Sequence, residues 1–381
     1  MDVKILDYEM NLLGVVDSYT SLEFCRSWQG IGNFTMTAIG YNERLFRRNN
    51  LIMLGCNVHR VGIIRSVEAV SDEKGAGVTI SGQTLNGLTS QRILLPQNNN
   101  SGYFSVPLTT QTGTAAAETI LKAMINACLG ADADNARQLK NSQNQLMLSV
   151  GTDRQRGLQT NWGCRYPYLH EELQALCEYC DCGYEIYPDL ENKRYVAEYL
   201  PGVDRCVHNA AGRSWVVFSK EWDSVNSVRY TADDSGYKNV AYCGGQGDGE
   251  NRAVLAVTNE NRMPTGFQRR EIFLDCGELE IVETDTALSL QKVGRHKLKE
   301  YGTAESLSAE ISSAGAFRYQ EHFDLGDLVT MRDKALNKTQ DCRITEIAES
   351  YEPDKTTIAV TLGQPPKHLA RAIRNIRNEV R

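Results

Sequence analysis

H-F-D-L-G-D-L-V-T-M-R-D (residues 322–333), C-R-I-T-E-I-A-E-S-Y (342–351) and T-T-I-A-V-T-L-G (356–363) read as three consecutive strands rich in β-branched residues, with a turn after each of the first two. Asp324-Leu325-Gly326-Asp327 makes a sharp entry to the first, and Gly326 is the residue suited to positive φ, where a side chain costs roughly 1–2 kcal/mol. Pro353-Asp354 presets a type I turn between the second and third strands. Ile358, Val360 and Leu362 alternate with Thr357, Ala359 and Thr361, so the last strand buries one face. The pattern predicts the closing half of a small antiparallel barrel. Nothing in it has the look of catalysis.

Working outward, residues 1–97 are equally strand-dense. Val3–Leu6 and Leu12–Val16 form an expected hairpin, Ser21–Phe24 and Phe34–Ala38 alternate, and Val61–Val70 meets Val78–Ser81 across a charged glycine turn. Gly82–Arg92 reads as a short helical exit. Residues 98–213 read as an α+β insert: a helix over 114–129 with Thr114 as N-cap and Gly130 as stop, a helix over 169–179, then a hairpin turning at Pro188-Asp189. From Ser214 the period-two pattern returns, giving a second barrel domain over 214–364 with a helix at 284–301. The expected fold is therefore α+β and mainly β: two small antiparallel barrels, an insert between them, and a basic C-terminal helix over 365–381.

A chain of 381 residues has room for two or three cores, and 41% hydrophobic with 23% charged residues is ordinary globular composition. A net charge of −7 argues against general or sequence-specific nucleic-acid binding. No apolar run reaches the length of a membrane span, and M-D-V-K-I-L-D-Y lacks a signal-peptide core, so assembly in a cytoplasm is expected. Eleven cysteines, an odd number in apolar or strand-like settings, read as small hydrophobes in a reducing compartment.

Three constellations bear on chemistry. His170-Glu171-Glu172-Leu173-Gln174 begins like a zinc-protease helix, but Gln174 stands where the second histidine ligand belongs. Cys177, Cys180 and Cys182 offer one C-x-x-C knuckle, with Cys164, His170, Cys206 and His208 at a distance; buried thiols at a helix end explain them better than zinc. Gly244–Glu250 (G-G-Q-G-D-G-E) follows a strand as a phosphate loop does, yet lacks the Lys-Ser/Thr and carries acids that repel phosphate. His59, His208, His296, His322 and His368 have no nucleophile motif beside them. No catalytic, cofactor or metal residue is assigned.

In order along the chain, Leu22-Glu23-Phe24 with Trp28, Gly30 and Phe34, then Gly62-Ile63-Ile64 and Ile80-Ser81-Gly82 with Leu85, Leu88 and Arg92, resemble the N-terminal barrel of phage tail hub proteins. The resemblance continues through Asp204-Arg205, Val217-Phe218-Ser219 with Asn226, and Gly244–Arg252. Gly266, Arg270-Glu271, Asp275, Leu290, Gly294, Leu298, Asp324–Val329 and Leu362-Gly363 complete it. It implies a non-enzymatic baseplate or tail-tip hub of a phage or phage-like particle. In such a hub two barrels per chain, in a ring of three chains, match a six-fold tail tube. The implied partners are further copies of the chain, a tail tube or distal tail protein, a tip, spike or adhesin, and a tape measure protein. The rival class is a wall-degrading or carbohydrate-binding tail-tip protein, which calls for paired carboxylates or a metal motif in the middle segment; neither is present. A chain ending at Arg381 also gives no expectation of the long C-terminal receptor-binding or wall-degrading region of many siphophage relatives.

Two expectations concern surfaces. The ring's channel is expected to be polar or acidic, so that DNA slides without sticking. In the tail K-H-L-A-R-A-I-R-N-I-R-N-E-V-R, Leu369, Ile373, Ile376 and Val380 recur at four, three and four residues, with Arg371 and Arg374 on other faces. A helix this short is marginal alone, so it is expected to order against a tip partner. Gly326 and Asp327 are expected to be structural.

Overall fold

A computed structural model describes residues 1–72, 75–96, 102, 104–106, 113–247, 249–276, 290–291, 294–295, 297–298, 301–312 and 315–363. The chain forms two compact units, one of Met1–Val228 with Ser308–Leu362 and a second holding Arg229–Leu307. The fold is α+β and mainly β.

The first seven strands are Val3–Leu6 (β1), Leu12–Val16 (β2), Tyr19–Ser27 (β3), Asn33–Ile39 (β4), Leu51–Leu54 (β5), Val61–Asp72 (β6) and Gly75–Thr84 (β7). Period-two patterning sets their faces. Leu22 and Phe24 of β3 and Phe34, Met36 and Ala38 of β4 point inward, while Glu23, Thr35 and Thr37 face out. Strand β5, L-I-M-L, departs from alternation, and all four residues are buried. Ile52 and Leu54 join Val3, Ile5, Phe24 and Phe34 in a core on one side of the sheet. Leu51 and Met53 join Leu6, Val61, Ile63 and Leu85 in a second core on the other.

That second core is closed by the insert. Helix α1, Ala117–Leu129, buries Ile120, Leu121, Met124, Ile125 and Cys128, and α2, Leu169–Cys180, buries Leu169, Leu173, Leu176 and Cys177. Each such side chain is worth roughly 1.5–3 kcal/mol on burial. Helix α1 starts later than a Thr114 cap implies, with Ala116 at the cap position, because Ala115–Ala116 pairs antiparallel with Gln159–Thr160. Gly130 ends it. Strand pairing likewise displaces the predicted hairpin turn. The strands Gly183–Asp189 and Arg194–Leu200 take Pro188 and Asp189 into the ladder, and the chain reverses over 190–193. Pro188 is tolerated there because its strand lies at the edge of a three-stranded sheet and needs no second set of N–H bonds. Gly82–Thr84 also stay extended in β7, and the helical exit, a 3-10 helix, begins at Leu85.

The closing strands are Leu328–Asp333, Lys338–Glu352 and Lys355–Gly363, the last two joined across Pro353-Asp354. Lys338–Glu352 pairs antiparallel with β3, from Glu346 opposite Ser27 to Tyr351 opposite Leu22. One sheet therefore runs Lys355–Gly363, Lys338–Glu352, β3, β4, β7, β6, β5, β1, β2. No closed barrel is found in the described residues. Met1–Val228 and Ser308–Leu362 fall in one compact unit. The reason is local: strands apolar on both faces require the insert helices as a cover, and β3 has a free edge that the closing hairpin fills.

In the second unit Val240–Gly244 lies between Val254–Val257, antiparallel, and Glu271–Asp275, parallel. Ala241, Cys243, Val257, Cys276, Leu290 and Leu298 form its core. Residues 290–291, 294–295 and 297–298 are helical, inside the expected 284–301 helix; its remaining positions and the 365–381 tail lie outside the described residues. Among described residues no helix is long and apolar enough to cross a membrane.

Candidate functional site

The first unit converges on Trp28, where three distant segments meet. Inward positions of β3 continue Leu22, Phe24, Arg26, and Trp28 follows on the same face just past the strand. Trp28 N–H donates to the Thr345 carbonyl (2.9 Å), and its own carbonyl accepts from Tyr184 N–H (3.2 Å). Its indole is held between glycines. A Cβ on Gly183 would stand 2.3 Å from Trp28 Cδ1, and one on Gly326 would stand 2.4 Å from Nε1. Arg343 lies 4.7 Å from the ring centroid and donates from Nη1 to the Gly326 carbonyl (2.9 Å). Gly326 carries φ +86°, the left-handed conformation open to glycine.

Asp327 ties this turn to the segment that follows the insert hairpin. Oδ1 accepts Val203 N–H (3.2 Å), and Oδ2 accepts Arg205 Nε (2.8 Å) and Asp324 N–H (3.0 Å). Burial raises its pKa, with Arg205 pulling the other way.

Beside the turn lies a buried charged cluster. Arg26 donates to Tyr319 Oη (2.8 Å), Asp324 Oδ1 (3.0 Å) and Glu185 Oε1 (3.1 Å). Burial disfavours its charge, but Tyr319, Glu185 and Asp324 outweigh burial and the net shift is upward. Glu185 Oε2 meets His59 Nδ1 at 2.8 Å, and that bond raises the His59 pKa. Arg60 Nη2 pairs with Glu349 Oε2 (2.9 Å), which also accepts the Tyr351 hydroxyl (2.6 Å). Glu349 Oε1 is buried with no partner in the structure. Burial pushes Glu349 up, opposed by Arg60. A cavity of about 20 Å³ lies among Arg26, His59, Asn86 and Glu185, room for one water and no substrate. The arrangement clamps segments together. It sets no base against a nucleophile.

Sequence reasoning selected Gly326 and Asp327 but not the charges around them. The signal was present: Arg26 falls in the inward row Leu22, Phe24, Arg26, and Glu349 in the row Ile347, Glu349, Tyr351. A charge in an inward row requires a partner. Leu369, Arg371, Ile373, Arg374, Ile376 and Val380 lie outside the described residues.

The other constellations resolve as follows. Cys177 and Cys182 are fully buried, and burial drives Cys177 well up and Cys180 to about 12, which disfavours the thiolate form of both at neutral pH. Among the described residues no group of three or more His, Cys, Asp or Glu side chains is placed to hold a metal. Arg252 fills the Gly244 loop, donating from Nε to the Gly245 carbonyl (3.0 Å) and from Nη2 to the Gly244 carbonyl (3.2 Å). A phosphate cradle needs N–H groups where this loop presents oxygens.

Three solved structures share the architecture. The tail protein from Neisseria meningitidis MC58 matches at TM-score 0.53 and 11% identity, covering 95% of this chain and 96% of that one. The prophage MuSo2 43 kDa tail protein from Shewanella oneidensis matches at 0.53 and 12%, covering 96% and 99%. Prophage tail protein gp18 from Listeria monocytogenes EGD-e matches at 0.51 and 11%, covering 99% of both. The fold is that of phage tail proteins. No curated protein matches the chain. Its sequence nonetheless fits one family profile over residues 2–364, and the chain belongs to the Siphovirus ReqiPepy6 Gp37-like protein family.

Proposed function

We propose that this protein is a structural, non-enzymatic hub of a phage tail, joining the tail tube to the tip. The observation that carries the reading is the Trp28 junction. It locks β3, the insert hairpin and the closing strands into one frame, the mechanical property an adaptor requires, on a fold shared end to end with tail proteins. In this reading the strand-rich stretches 1–97 and 214–364 are barrel-type ring elements, the insert 98–213 buttresses them, and three chains close a ring around the ejection channel, lined by polar or acidic groups. One face meets the tube or a distal tail protein, and the tape measure protein reaches the lumen. Leu369, Ile373, Ile376 and Val380 dock a tip, spike or adhesin, with Arg371 and Arg374 on its acidic surface.

Sedimentation equilibrium tests the ring: a mass three times that of the chain is expected, and a monomer at micromolar concentration overturns it. Deleting residues 367–381 is expected to leave that mass unchanged while particles lose the tip. Retention of the tip at wild-type occupancy removes the role assigned to the tail.

A further inference from the structure

A concavity of about 1,020 Å³ opens on the first unit, lined by Arg44, Arg47, Arg48 and Arg65. Four guanidiniums gather there on a chain of net charge −7. Among the described residues none of them makes an ion pair, and Arg65 is met only by the Asn49 side-chain oxygen, 2.7 Å from Nη1. Neither carboxylate among the lining residues, Asp7 or Glu43, pairs with them. Both Asp7 oxygens are occupied by its own turn, accepting Glu9 N–H, Asn11 N–H and Asn11 Nδ2, and Glu43 pairs with nothing among the described residues.

The backbone beneath is built rather than loose. Buried Asn50 donates to the Arg44 and Leu45 carbonyls (3.1 and 2.9 Å), Asn42 Oδ1 accepts Arg44 N–H (3.0 Å), and Phe46 is buried as an anchor. Asn49 sits at φ +72°, the left-handed conformation that asparagine tolerates better than most residues with a side chain. The register of β6 against β7 slips between Ile64 and Ser66, so Arg65 is the extra residue of a bulge, the device that re-aims a side chain out of a ladder. Partial burial also lowers the Arg65 pKa, a strain that a bound anion relieves. A preorganised cluster of like charges costs stability unless something else uses it.

We propose that this concavity is a docking site for an acidic segment of a partner polypeptide. Carboxylates match the bidentate fork of arginine. Tyr41, Leu13 and Val67 line the same surface and fit apolar side chains between the acids. Asp7 and Glu43 on the rim, with the overall negative charge, disfavour the dense phosphate array of a nucleic acid. The inference stands apart from the hub reading, since it concerns the single chain.

The test is fluorescence anisotropy with the full chain and a labelled peptide of Glu-Leu-Ser repeats, with its Lys-Leu-Ser counterpart and a single-stranded oligothymidylate as the other arms. Saturable binding of the acidic peptide is expected, weakened by about tenfold or more in Arg47→Glu/Arg48→Glu and reduced by added salt. Those side chains are exposed, so an unchanged melting temperature verifies the fold, and Arg65→Gln is expected to weaken binding on its own. The proposal fails if the wild type does not bind the acidic peptide or the double variant binds it equally. It also fails if oligothymidylate binds more tightly, or if the double variant dissociates an oligomer, which would make a second copy the occupant.

Discussion

Glu118 and Glu349 are carboxylates with almost no solvent exposure, 0% and 1%, in two ion networks of one compact unit. Glu118, on α1, accepts four bonds: Oε1 from Lys122 Nζ (2.7 Å) and Arg156 Nη2 (2.8 Å), Oε2 from Arg156 N–H (3.0 Å) and Nε (2.8 Å). Burial works to raise its pKa, but Arg156 and Lys122 outweigh burial and hold it at about 2. Glu349 is as little exposed but lies deeper, with donors on one oxygen only, and burial wins. Depth and the count of donors together decide whether a carboxylate sealed from solvent is held ionised. The insert network is a saturated staple. The junction is held chiefly by shape, through Trp28 between two glycines.

If shape holds the junction, the largest effect belongs to the glycine. Gly326→Ala adds left-handed strain of roughly 1–2 kcal/mol and a contact that costs about 1–3 more. Gly212→Ala, at φ +62° with nothing within 4 Å of its Cβ, is expected to cost the strain alone. Urea unfolding of both separates the two contributions; equal losses would show that Trp28 yields.

Next, Glu118→Gln should cost about 1–3 kcal/mol, since it leaves Lys122 and Arg156 with Glu198 as their remaining carboxylate, while Glu349→Gln should cost less than half of that. A reversed order in chemical denaturation breaks the comparison. The pH dependence sharpens it. Glu118, lowered from 4.5 to about 2, contributes stability present above pH 4.5 and lost as pH falls toward 2. Glu349, raised, acts in the opposite sense: its ionisation costs stability as pH rises above 4.5. The gap between wild type and Glu118→Gln should therefore shrink on acidification through that window. For Glu349→Gln, relative stability should improve as pH rises.

The smallest effect is at His59, whose raised pKa means stability present below pH 6.5 and lost as pH rises through the folded value. The ring is 46% exposed, so His59→Asn should change stability by under ~1 kcal/mol at pH 6, and by less at pH 8.

Much of the fold was legible because its signals are local. Alternation found β1 to β4 and the closing strands, and the stripe Ile120, Leu121, Met124, Ile125 found α1. Partners were not legible. Nothing near Ser27 announces that Glu346 lies opposite it, and the period-two return after Ser214 does not say where a compact unit ends. Leu51–Leu54 was the overlooked clue, since a run apolar at every position demands a cover on both faces, and the insert helices are that cover. At the site, Gly326 was legible from turn chemistry. Arg26 and Glu349 stayed hidden because a charge in an inward row declares that it has a partner without saying which.

The bond from Arg26 to Asp324 spans 298 positions of sequence. On a ribosome, β3 and Trp28 emerge long before the turn that completes their slot, and the edge of β3 stands unpaired until the closing hairpin is made. Contacts of such separation are slow to form, and an open strand edge invites pairing with the wrong chain. Synthesis of the last strands is therefore the step that retires the nascent protein's main aggregation hazard, and the yield of native chains should depend on how well that edge is shielded until then.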